Sequence, residues 1–78
     1  MSRKHLTPQE ADKEGLMQLT EFDNRGSKMS TQYGIITHGE WVEKEYDRIM
    51  SNPERSGAIV IMAGGKVALY VNRVAGAY

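Results

Sequence analysis

Between Gly57 and Arg73 the chain reads GAIVIMAGGKVALYVNR, two apolar runs on either side of a glycine pair. β-Branched Ile59, Val60, Ile61, Val67 and Val71 suit a pleated strand, and Gly64-Gly65 supplies the φ > 0 conformations of a tight hairpin turn. The stretch therefore predicts a C-terminal β-hairpin that supplies most of the core. Two registers fit it. A two-residue turn pairs Met62 with Val67, Val60 with Leu69 and Ala58 with Val71, while a three-residue loop with a bulge shifts every pair. Either choice leaves both faces apolar, so hydrophobicity alone does not set the register. One helix covers one face. The other, with several side chains each worth about 1.5–3 kcal/mol on burial, needs a second cover, either the N-terminal helix or a partner.

Upstream, Thr37-His38-Gly39-Glu40 is a capping-box pattern that opens a helix. It should run to about Ser51, because Asn52-Pro53 turns the chain away from helix. Val42, Tyr46, Ile49 and Met50 form its apolar stripe. Before it, Met29–Thr37 alternates, with Met29, Thr31, Tyr33 and Ile35 on one side, and predicts one strand. Further back, Thr7-Pro8-Gln9-Glu10 is a second helix start, with Thr7 as cap and Pro8 at the first helical position. Pro8, Ala11, Gly15, Leu16, Leu19 and Phe22 then recur at helical spacing, so this helix is expected to extend to about Phe22. Gly15 costs about 1 kcal/mol against alanine in a helix interior, and marks either a close approach or a break. Residues 1–6 and 75–78 are expected to be flexible.

These elements predict an α+β fold, a single small domain over residues 1–78 in the order α-β-α-β-β. Its three-stranded sheet would place Val67–Arg73 between Met29–Thr37 and Gly57–Ala63, with the hairpin packed against one or two helices. The strand, helix and hairpin would form a right-handed crossover.

Composition narrows the function. The chain has 78 residues and no cysteine, which removes disulfides, thiolate metal ligands and a thiol nucleophile. Small secreted domains usually need such staples, so a cytoplasmic protein is expected. The uncharged stretch Ser56–Gly65 is too short for a bilayer, which needs about 20 apolar residues, and Arg3-Lys4 leads into polar sequence rather than a signal peptide. Ten basic residues balance ten acidic ones. Residues 8–25 and 35–56 lean acidic, and no basic cluster marks a nucleic-acid footprint.

No catalytic motif survives inspection. Gly64-Gly65-Lys66 lacks the earlier glycine, the following Ser or Thr, and the helix of a phosphate-binding loop. His38-Gly39-Glu40 has the spacing of zinc deaminases, which also require a cysteine pair. Glu40, Glu43 and Glu45 read as a solvated helix face rather than an acid–base pair, which would need a desolvating cleft. No metal or cofactor is predicted.

Trp41 stands out because it lies roughly 125° from the centre of its helix's apolar stripe. Lys44, Glu45 and Arg48 are its neighbours on that side. A large aromatic among charges is the composition of an interface anchor; the plainer reading folds Trp41 over the sheet edge. Tyr33 and Tyr70, with Arg73, would make a second patch on the sheet. The predicted interaction surface is thus Trp41, Lys44, Glu45, Arg48, Tyr33 and Tyr70.

The layout of a helix followed by a glycine-turn hairpin, over residues 40–73 with GAIVIMAGGKVALYV as the hairpin, resembles that of small phage-encoded inhibitors, including anti-CRISPR proteins. The resemblance implies stoichiometric inhibition of a host defence complex by occlusion, and assigns no residue a role. A non-enzymatic module that binds another protein, or itself as a homodimer, is the reading carried forward. Its alternatives are a small nucleic-acid-binding regulator and an oligomeric small enzyme or ligand-binding protein.

Overall fold

At Gly15 the backbone takes φ +76°, and this one residue redirects the N-terminal third of the chain. The Gly15 N–H donates to the Asp12 carbonyl and the Leu16 N–H to the Ala11 carbonyl, the paired bonds that close a helix at a left-handed residue. The first helix therefore ends at Lys13 instead of continuing to Phe22. A computed structural model describes residues 3–73, so the expectations for residues 1–2 and for 74–78 lie outside it. In chain order the elements are β1 (His5–Leu6), α1 (Pro8–Lys13), β2 (Met17–Phe22), β3 (Lys28–Thr31), β4 (Gly34–Thr37), α2 (His38–Met50), β5 (Gly57–Ile61) and β6 (Val67–Val71).

The class is α+β, as the sequence predicts, but the sheet has four strands rather than three, in the order β1-β5-β6-β2. β1 runs parallel to β5 and the remaining neighbours are antiparallel. The strand expected over Met29–Thr37 is instead a hairpin, β3 with β4, that forms a sheet of its own. It folds back at Gln32-Tyr33, and Gly34, with φ +101°, starts the return strand. Consequently β6 is central between β5 and β2, and the crossover through α2 starts not from Met29–Thr37 but from β2, reaching β5, which runs parallel to it, by way of the separate hairpin and the helix.

Residues 17–22 imitate a helix in sequence because apolar side chains recur every three residues there. The cause is a bulge. β2 pairs Gln18 with Tyr70 and Thr20 with Leu69, so Leu19 is the extra residue. Inserting one residue into a two-residue alternation gives a local period of three. Leu19 and Phe22 thereby reach the same face of the sheet, packed on the cluster that includes Leu69 and Val71.

The C-terminal hairpin takes the three-residue loop. Ile61 opposes Val67, Ile59 opposes Leu69 and Gly57 opposes Val71, with Ala63-Gly64-Gly65 as the loop and Met62 N–H donating to Lys66 O. Gly64 and Gly65 both have φ near +80°, at 79° and 82°. Gly57 has no room for a side chain: a Cβ there would meet the Tyr70 carbonyl oxygen at 2.5 Å.

Both faces of the hairpin are covered from within the chain. On one, α2 contributes Val42, Tyr46 and Ile49 against Ile59, Val67, Leu69 and Val71. On the other, Ala11 of α1 and Leu16 pack with Ala58, Val60 and Ala68, and Leu6 closes the edge. Alanines at 58 and 68 let the short α1 sit close to the sheet. The cover expected to be a helix or a partner is thus a six-residue helix and its C-terminal turn.

Arg3 to Leu6, expected to be flexible, is tied to two elements, β5 and α2. Ile59 N–H donates to the Lys4 carbonyl, Lys4 N–H donates to the Tyr46 hydroxyl, and Arg3 grips Asp47 through two hydrogen bonds of 3.1 and 2.8 Å. Among the described residues, no helix is long and apolar enough to cross a membrane.

Candidate functional site

The predicted surface residues separate into a cluster of five and one outlier. α2 presents Trp41, Lys44, Glu45 and Arg48 on adjacent turns, and the β3–β4 turn brings Tyr33 against them. Local sequence positions both parts. Thr37 caps α2, accepting from Glu40 N–H while the Glu40 carboxylate accepts from Thr37 N–H. Because Thr37 also ends β4, the hairpin runs into the helix without a linker. Its base is fixed by the α2 N-terminus, where His38 N–H donates to Ser27 O and Gly39 N–H to Arg25 O.

Glu45 is the centre of the cluster. Expected on a solvated face, it is buried, only 4% exposed. Its carboxylate accepts from the Tyr33 hydroxyl at 2.5 Å and from Gln32 Nε2 at 2.9 Å. Arg48, one turn on, donates Nε to both oxygens at 3.2 Å and a terminal nitrogen at 2.7 Å. A carboxylate taken out of water needs this degree of pairing. The Arg48 hydrogen bonds, helped by Tyr33 and Gln32, hold the Glu45 carboxyl below its ordinary pKa although burial pushes the other way. The same carboxylate raises the pKa of the Tyr33 hydroxyl, chiefly because it accepts that hydroxyl's proton in a hydrogen bond the phenolate would lose, with desolvation and the negative charge adding to it.

Trp41 sits at the rim of this network. Its indole N–H reaches Gln32 Oε1 at 3.4 Å, and its ring meets Phe22 edge-on with centroids 5.6 Å apart. Phe22 in turn stacks on His38 at 4.3 Å. Trp41 is therefore half-buried over the β2 edge of the sheet, in keeping with the plainer of the two sequence readings, while part of its surface remains in solvent beside Lys44 and Arg48. The Lys44 ammonium stands 5.7 Å from the Tyr33 ring centroid, within cation–π range. The Arg48 side chain is 56% exposed even while it pairs with Glu45.

Tyr70 belongs elsewhere. It packs on the α1 side of the sheet with Ala58, Val60 and Ala68, its hydroxyl on Gln18. Tyr33 stands on the α2 side, so the second patch of Tyr33, Tyr70 and Arg73 does not form. His38 is half-buried against Phe22 with Nδ1 at 2.8 Å from the Asn24 carbonyl. Among the described residues no group of three or more His, Asp or Glu side chains is arranged to hold a metal ion.

Gln32 is the member that sequence reading missed. An unbroken strand over Met29–Thr37 would put it on the face opposite Tyr33, and only the turn at Gln32-Tyr33 brings both residues to the helix. Ile35 was placed with Tyr33, but the same turn reverses it onto the outer face, where it is 74% exposed. No protein family, curated protein or solved structure matches this chain.

Proposed function

We propose that this chain is a non-enzymatic module that binds another protein through the surface formed by Trp41, Tyr33, Lys44 and Arg48. The observation that carries the reading is the buried Glu45 carboxylate, which fixes Tyr33 and Arg48 in place before any partner arrives. Aromatic and arginine side chains supply most of the energy at protein interfaces, and side chains already ordered lose less entropy on binding. The layout resemblance to phage-encoded inhibitors supplies the partner class: a subunit of a host defence complex, blocked in the cytoplasm by stoichiometric occlusion.

The test is affinity capture from lysate of the native cell or host, using the wild-type chain beside Trp41→Ala and Lys44→Ala. Retention of one protein in stoichiometric amount, with affinity reduced by about 2 kcal/mol or more in Trp41→Ala, is the expected result. Retention of the same proteins by all three forms would overturn it. Nuclease-sensitive retention with a steep salt dependence would replace it with the nucleic-acid reading.

A further inference from the structure

We propose that the β3–β4 hairpin is a hinged flap, fixed at its base and closed at its tip by one carboxylate latch, which opens as a unit while the four-stranded sheet stays intact. Three observations converge on this. Among the described residues the hairpin pairs with no strand of the main sheet, and its only ladder is between its own two strands. Not one residue from Lys28 to Thr37 is fully buried, and neither Met29 nor Ile36 joins either apolar cluster. Lifting the hairpin therefore exposes little apolar surface, and an isolated two-stranded ribbon is marginal in water.

The polar attachments are concentrated at the two ends. At the base, Ser27 and Arg25 carbonyls accept from His38 and Gly39 N–H groups at 2.8 and 2.9 Å, and Arg25 N–H donates to Gly65 O at 3.0 Å. At the tip, both turn residues reach Glu45, Tyr33 through its hydroxyl and Gln32 through its amide. Gln32 also accepts from Trp41.

Opening does not strand the buried charge. Arg48 lies on the same helix as Glu45 and keeps its hydrogen bonds when Tyr33 and Gln32 leave. Water then replaces the two tip donors on a carboxylate that the opening itself uncovers. Both positions of the flap thus satisfy Glu45, which is the requirement for a two-position element. The inference concerns the isolated chain and does not depend on the protein-binding reading. The two meet at one point: a partner gripping Trp41 or Tyr33 draws on the latch's own groups, so binding and flap position become linked.

Amide hydrogen exchange on the full chain, read residue by residue by NMR, tests the flap. In the wild type, the hydrogen-bonded amides of Lys28–Thr37 should exchange at least about tenfold faster than those of Gly57–Ile61 and Val67–Val71. Tyr33→Phe keeps the ring and removes only the hydroxyl; it should accelerate the hairpin amides by a further factor of about ten and leave the sheet amides unchanged. Gln32→Ala should act in the same direction on the same amides. Hairpin and sheet exchanging at one common rate would overturn the proposal. So would a Tyr33→Phe chain in which both regions accelerate together, or in which neither does.

Discussion

The hairpin of β5 and β6 and the hairpin of β3 and β4 are both ribbons of two short strands closed by two- or three-residue turns, but they are held by different forces. The first is covered on both faces, and Ile59, Leu69, Val60, Val67 and Val71 are all but inaccessible to solvent. The second has one half-buried face on α2, an outer face carrying the exposed Ile35, and a ring of hydrogen bonds around Glu45. Apolar burial is non-directional and tolerates slack; hydrogen bonds to a carboxylate are directional and fail when a single partner moves. A small domain therefore combines a region that sets global stability with one whose local stability is set separately.

Mutation should separate the two. The largest effect is expected at Leu69, which lies on the central strand with no exposure. Leu69→Ala should cost about 2–5 kcal/mol, comparable with the few kcal/mol that a domain of this size has. Urea titration followed by tryptophan fluorescence and by far-ultraviolet dichroism should show one coincident, shifted transition. Loss confined to one region would break the comparison.

Glu45→Gln should cost less, about 1–3 kcal/mol, and act on the hairpin first. Acid reads the same group. The folded-state pKa of Glu45 is lowered, so its contribution is present above the unfolded value of about 4.3 and is lost as pH falls through the lower folded value. The groups facing it are the Arg48 guanidinium from α2 and, from the hairpin, the Tyr33 hydroxyl and the Gln32 amide. Glu10 and Glu40 are lowered as well, by the backbone and side-chain hydrogen bonds of their capping boxes, so they add acid sensitivity of the same sign. Stability measured between pH 5 and 3 should therefore fall more steeply in the wild type than in Glu45→Gln, flow of protons to the other carboxylates being common to both. Parallel curves would remove Glu45 as the latch.

The smallest effect is expected at Ile35. Ile35→Ser on the open outer face should change stability by no more than about 0.5 kcal/mol in the same urea titration. A larger loss would mean that this face of the hairpin is covered in solution.

What could be read from the residues was what is settled locally. Both capping boxes form, because a threonine and a glutamate three residues apart need nothing from the rest of the chain. The Gly57–Val71 hairpin forms because both its strands and its turn agree. The misreadings share a cause, which is that periodicity reports spacing and not geometry. Leu16, Leu19 and Phe22 lie three apart and imitate a helix, while a bulge delivers the last two to one face and the helix-closing turn delivers Leu16 to the other. Met29–Thr37 alternates cleanly and imitates one strand, because the turn at Gln32-Tyr33 contains no glycine or proline of its own. β1 is two residues long and carries no pattern at all. At the candidate site, Trp41, Lys44 and Arg48 were visible from helical spacing, whereas the burial of Glu45 depends on a turn thirteen residues earlier in the chain.

The bulge at Leu19 has one more effect. β2 is an outer strand, and amyloid growth needs about six or seven residues in unbroken register. Here the ladder is interrupted after Gln18 and resumes at Thr20, leaving runs of two and three paired residues. An incoming strand that tried to copy this edge would lose step within three residues, so the irregularity that steers Leu19 and Phe22 into the core also makes the exposed rim a poor template for fibrils.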